Sequence, residues 1–167
     1  MTALKASVVA FALLCATAPA RADEPQGCDA FKWPLGPERT ALTAPDRASL
    51  ASGEALPLGA AAHLKLTPLS EAKLDRPPER APIDPQSFAG LVHLAAPPSA
   101  GVYKVTISSE GWIDLIQGAG FTKPLAFSGA VGCEGVRKSV KFRLSGAATL
   151  QLTGAKAADI SVIVTPE

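Results

Sequence analysis

The chain has 167 residues, with 16 Lys and Arg against 15 Asp and Glu and a formal charge of +1. A domain that binds nucleic acid wholesale is strongly basic, so this balance excludes that partner class. Aromatic residues make up only 5%, while Ala and Pro are abundant, a composition that suggests a GC-rich bacterial genome.

Lys5 is the only charge ahead of a nearly continuous apolar run from Ser7 to Ala16. Ala18-Pro19-Ala20 and Ala20-Arg21-Ala22 then both fit an A-x-A cleavage rule. The pattern predicts a secretory signal over residues 1–22, cleaved after Ala22, and a periplasmic or secreted chain starting at Asp23. The apolar run is roughly ten residues, short of the ~20 a membrane-spanning helix needs. No transmembrane segment is therefore expected in the mature chain. Cys15 follows Leu14, where a lipoprotein site would carry a small residue. Lys5 and Arg21 leave with the leader and no acid does, so 14 basic residues face 15 acidic ones in the 145 that remain. That length predicts a single domain over 23–167 with a sizeable core.

Loss of Cys15 leaves Cys28 and Cys133 in an oxidising compartment, where two cysteines pair. There is no C-x-x-C and no His beside either, so a structural disulfide is expected rather than a redox or metal pair.

In chain order, Phe31 and Trp33 are apolar anchors beside Cys28. Pro37 opens one helical turn over Glu38–Leu42. The Ala- and Leu-rich stretch 48–62 fits either a short strand or irregular structure. His63 to Thr67 alternates as a strand stopped by Pro68. Residues 71–87 carry Pro77, Pro78, Pro82 and Pro85 amid charges, which predicts a long exposed loop. Further strands are expected over 88–95, 103–107, 112–116, 124–128, 136–144, 149–152 and 159–165. About eight short antiparallel strands at this spacing predict an all-β sandwich or jelly roll.

Candidate chemistry is sparse. No G-x-S-x-G elbow is present, and only His63 and His93 exist to serve as a base. His63, His93 and Asp114 are the residues that would form an open metal site, though without the tight H-x-D/E spacing. On the 112–116 strand, Ile113 and Leu115 facing the core would turn Trp112 and Asp114 outward, the Trp ring toward a sugar or aromatic ligand. The opposite phase would bury Asp114 and demand Lys138 or Arg137 as its counter-ion. On the 136–144 strand, Val140, Phe142 and Leu144 face one way. Arg137, Ser139, Lys141 and Arg143 face the other, a basic stripe flanked by Lys138 that suits an acidic partner, a polysaccharide or plain solvent.

Four segments carry a resemblance: Cys28 to Leu35, Pro78 to Pro82, Gly111 to Asp114 and Gly132 to Val140. On these the whole mature chain resembles a group of small secreted proteobacterial proteins of unknown function. Some of them carry a homogentisate dioxygenase name, but this chain lacks the length and the His/Glu motif of that cupin enzyme. The stretch 101–117 also resembles the pre-peptidase C-terminal (PPC) β-sandwich modules of secreted bacterial enzymes, which implies the fold and not an activity. The expectation is a non-enzymatic periplasmic or secreted binding module for a protein or glycan, needing no cofactor. Two other expectations stay open: a small metal-dependent oxygenase or hydrolase using His63, His93 and an acid, and a periplasmic enzyme inhibitor acting through the 71–87 loop.

Overall fold

The computed structural model describes residues 23–167; the leader expected over 1–22 lies outside them. After a single 3-10 turn at Cys28–Ala30 comes helix α1 (Gly36–Thr43). Eleven strands follow among the described residues: β1 (Ala48–Leu50), β2 (Ala62–Lys65), β3 (Thr67–Pro68), β4 (Phe88–Leu94), β5 (Gly101–Ile107), β6 (Trp112–Gln117), β7 (Gly120–Thr122), β8 (Ala126–Gly129), β9 (Lys138–Leu144), β10 (Ala148–Ala155) and β11 (Asp159–Pro166). They form a six-stranded sheet in the order β1-β2-β11-β5-β9-β8 and a five-stranded sheet in the order β3-β4-β10-β6-β7. Every pairing is antiparallel except β1 with β2. The chain is an all-β sandwich.

Alternation builds the core. Tyr103, Val105 and Ile107 on β5 stand beside Phe142 and Val140 on β9, because the register pairs Tyr103 with Phe142 and Val105 with Val140. Ile160, Val162 and Val164 of β11 complete that sheet's inner face. Val92 and Leu94 of β4, Ile113 and Leu115 of β6, and Leu150 and Leu152 of β10 oppose them in one cluster. Phe142, Leu64, Leu150 and Leu152 are almost wholly sealed from solvent. At about 25 cal/mol per Å² of apolar surface removed from water, this seam is the main source of stability.

The structure departs from the pattern reading where the segments are short. The eight expected strands correspond to the eight of four or more residues, whereas β1, β3 and β7 have two or three residues and leave no periodicity. The strand expected over 63–67 is two strands. β2 ends at Lys65, the buried Leu66 crosses between the sheets, and Thr67-Pro68 pairs with β4. Pro68 is tolerated because β3 is an edge strand. In the 48–62 stretch, β1 lies parallel to β2 and Leu56 plugs the core. Helix α1 has two turns rather than one. The 136–144 strand begins at Lys138, since Val136 leaves the sheet to pack with Leu35, Leu42 and Ile163.

That second cluster is an N-terminal cap lying on the outer face of the six-stranded sheet, with Phe31 and Trp33 packed at its edge. It carries a buried ion pair. Glu38 is 2% exposed, Lys104 Nζ lies 2.5 Å from its Oε1, and Thr165 Oγ1 donates to the same oxygen at 2.6 Å. Burial alone would raise the Glu38 pKa, but the bonds from Lys104 and Thr165 outweigh it and hold the group below its ordinary 4.5. Its contribution is thus present above the unfolded value and is lost as pH falls through the folded one.

The expected bridge is present between Cys28 and Cys133, 105 residues apart in sequence. It fixes the start of the cap to the turn after β8. Gly135 in that turn has φ +78°, and a Cβ there would collide with the Thr43 methyl of α1, so only glycine closes the cap at this point. Removing the bridge frees a loop of this length in the unfolded chain. The double variant Cys28→Ser/Cys133→Ser is expected to lose about 2–4 kcal/mol. Urea unfolding would show a lower midpoint with the β-sheet circular dichroism retained in buffer. An unchanged midpoint would mean that the cap is held without the bridge.

Candidate functional site

The two outer faces decide which of the expected site residues are available. On β9 the outward set is Ser139, Lys141 and Arg143, with Arg137 just before the strand in the same phase, but the cap covers most of it. Ser139 is fully buried and its Oγ accepts from Trp33 Nε1 at 3.2 Å and from Thr106 Oγ1 at 3.0 Å. Lys141 Nζ sits 4.3 Å from the centroid of the Trp33 ring and pairs with the Glu167 carboxylate. Arg137 reaches the exposed Glu24 at 2.9 Å, and Arg143 alone stands clear in solvent. The expected stripe is therefore no continuous basic surface.

Lys138 is set apart by its phase. It has the same parity as Val140 and Phe142, so its stem lies at the mouth of the sandwich and its Nζ donates to Gly111 O at 2.6 Å. Burial and the neighbouring Arg137 charge hold its pKa below the ordinary lysine value, against a smaller opposing pull from Glu110.

On the five-stranded sheet Ile113 and Leu115 face the core, so Trp112, Asp114 and Ile116 face outward. Their neighbours on β10 are fixed by register: Gln151 stands opposite Asp114, and Thr153 opposite Trp112. The Pro-rich segment 71–87 is largely exposed and irregular, as expected of a loop, and it lies over this polar row. It forms neither helix nor strand, but its polar groups find partners on the sheet beneath. Thr149 Oγ1 donates to Asp75 Oδ2 at 2.7 Å, and Gln151 Nε2 to Arg76 O at 3.1 Å. The Glu79 N–H donates to Asp114 Oδ2 at 3.2 Å, and the Arg80 guanidinium lies over the Trp112 ring, 5.3 Å from its centroid. The segment is a strap.

Asp114 is 3% exposed beneath the strap. The counter-ion expected from Lys138 or Arg137 is absent, because Lys138 is engaged at Gly111 and Arg137 at Glu24. Two N–H donors serve it instead, Glu79 and the Trp112 indole, the latter at 2.7 Å. Burial pushes its pKa up, and these two bonds recover only part of the shift.

Beside the strap's end is a cleft of about 240 Å³ lined by Arg80, Pro82, Ile83, Trp112, Lys138 and Thr153. β10 bulges between Leu152 and Ala155, with Gly154 at φ +70° and Pro82 against it. Thr153 is fully buried and its Oγ1 has no partner among the described residues. Arg80 and Thr153 escape sequence reasoning. Arg80 sits in a stretch without periodicity, and Thr153 falls one residue past the 149–152 alternation.

The histidines do not meet. His63 is on β2 of the six-stranded sheet, whereas His93 is on β4 and Asp114 on β6, with β10 between those two. Among the described residues no group of three or more His, Cys, Asp and Glu is placed to hold a metal. Arg47 Nη2 donates to His63 Nε2 at 2.6 Å. That leaves Nδ1 as the protonated nitrogen, donating to Ser161 Oγ at 3.2 Å, so His63 in this tautomer cannot take a proton from Ser161. His93 Nδ1 meets Thr149 Oγ1 at 3.3 Å, and that hydroxyl already donates to Asp75.

Comparison with protein-family models, with curated proteins and with solved structures finds no match to the chain.

Asp114 gives a signed pH test. Its folded pKa is raised, so its contribution to stability is fully present below the unfolded value near 3.8 and is lost as pH rises through the folded one. The stability of wild type minus that of Asp114→Asn is expected to fall as pH rises from about 4 and then to level off, measured by urea unfolding at each pH. A flat or rising difference would contradict the buried, cation-free carboxylate.

Proposed function

We propose that this chain is a non-enzymatic binding module of the bacterial cell envelope, exported with residues 1–22 as its leader, and that its ligand site is the Trp112 cleft. The observation that carries the reading is the strap. A Pro-rich segment with no secondary structure of its own is fastened to the sheet at Thr149, Gln151, Asp114 and Trp112, and one wall of a cleft is its product. A stretch whose only task is to connect β3 to β4 has no need of that many specific bonds. The cleft offers an indole, a guanidinium and an ammonium side by side, groups that suit recognition of a glycan or of a polar segment of a protein. The likeness of residues 101–117 to PPC modules, companions of secreted enzymes, fits the same role. The dispersal of His63, His93 and Asp114, and the tautomer that Arg47 imposes on His63, remove support from the metal-dependent and serine-hydrolase alternatives.

The test is binding of the protein to a glycan array and to a soluble periplasmic extract, with wild type, Trp112→Leu and Arg80→Ala compared. Specific signals are expected to drop roughly tenfold in both variants, with melting temperatures showing that both stay folded. Signals that both variants leave unchanged, on array and extract alike, would contradict the reading.

A further inference from the structure

The Trp112 cleft carries two cations and a hydroxyl that the fold itself does not use up. Arg80 lies over the indole ring, and no carboxylate among the described residues is within ion-pair distance of its guanidinium. Its donors are thus held in place yet free to meet a ligand, the condition in which guanidinium recognises a planar oxyanion with two hydrogen bonds. Lys138 has three ammonium protons and one internal acceptor, Gly111 O. Thr153, sealed in the floor, has a hydroxyl with no partner. All three line one space of about 240 Å³. Two carboxylates line the same cleft, Glu110, whose Oε2 is 3.0 Å from Lys156 Nζ, and Asp84, whose Oδ1 accepts from the Gln86 N–H at 2.8 Å, and neither is within ion-pair distance of Arg80 or Lys138.

We propose that this cleft is an oxyanion subsite in which Arg80, Lys138 and Thr153 take the carboxylate or phosphate group of a ligand of about monosaccharide size. The inference rests on the Trp112 cleft being the binding site, and it names the chemistry that the site selects. A neutral ligand would cover Arg80 and Lys138 while leaving both charges without a counter-ion, at a desolvation cost that an oxyanion offsets. The volume admits one such group with its ring, and not the interior of a polymer. Trp112 sits where it senses occupancy directly, because its indole N–H is bonded to the buried Asp114.

The test is a titration followed by the two indole N–H signals in proton–nitrogen spectra. Trp33, under the cap on the other sheet, is the internal control. D-glucuronate and inorganic phosphate are the probes, with D-glucose and potassium chloride at matched ionic strength as references. The expected result is a saturable shift of the Trp112 indole with one or both oxyanions and a still Trp33 signal. Affinity should weaken roughly tenfold in Arg80→Met and in Lys138→Met. Glucuronate without phosphate identifies a carboxylate site, and phosphate without glucuronate a phosphoryl site; either supports the inference. Glucose acting as well as glucuronate, or shifts that survive both variants, overturns the oxyanion assignment and leaves the binding-module reading standing. The assignment also falls if no probe moves Trp112 more than potassium chloride does. The array and extract result then decides separately whether the broader reading falls with it.

Discussion

Each sheet of this sandwich has the middle of its second face covered by chain, and that constraint shapes much of what lies outside the central core. A strand's outward residues are usually polar because they are solvated. Here Thr106 and Ser139 on one sheet, and Asp114, Gln151 and Thr153 on the other, are polar and almost wholly buried. Each must find a protein partner or remain unsatisfied at a cost of about 1–3 kcal/mol. The cap supplies partners on the six-stranded sheet through Trp33, and the strap supplies them on the five-stranded sheet through Asp75, Arg76 and Glu79.

The two covers are not equivalent. The cap brings its own apolar cluster, a disulfide, and an ion pair in which Glu38 Oε1 is matched by Lys104 and Thr165, while its Oε2 has no partner among the described residues. The strap brings no comparable apolar cluster and leaves Ile83 90% exposed. Beneath it the accounting is incomplete: Gln151 Oε1 and Thr153 Oγ1 lack partners, and Asp114 is buried without a cation. What sets the strap side apart is that these groups lie next to two cations with no carboxylate within ion-pair distance. The opposite pKa directions of Glu38 and Asp114 express the same contrast in electrostatic form.

The fold was legible wherever an alternating run was four residues or longer, because a period of two needs that length to be visible. The disulfide was legible from the cysteine count together with the compartment that the leader pattern predicts. What stayed hidden depends on a third dimension that period-two patterns do not record. Alternation places Ser139 and Lys141 on the outer face correctly, but it does not say that Trp33 will lie on them. It likewise gives two phases for Trp112 and Asp114, and the observed one joins features of both: Trp112 outward, Asp114 outward and yet buried, because the strap returns over it. Arg80 was invisible for the same reason, since its neighbour Trp112 is thirty-two residues away and no local pattern links them.

The central claim is that residues 76–84, though largely exposed, are tethered to the sheet as a wall of the cleft. It is tested most directly by amide hydrogen exchange at Glu79, whose N–H is bonded to the buried Asp114. The account expects exchange at Glu79 to be slowed well below that of an exposed loop amide, and to speed up in Asp114→Ala while amides of β5 and β9 stay protected. Exchange at the free-loop rate in the wild-type protein would contradict it, because the Trp112 cleft would then have lost the wall that defines it.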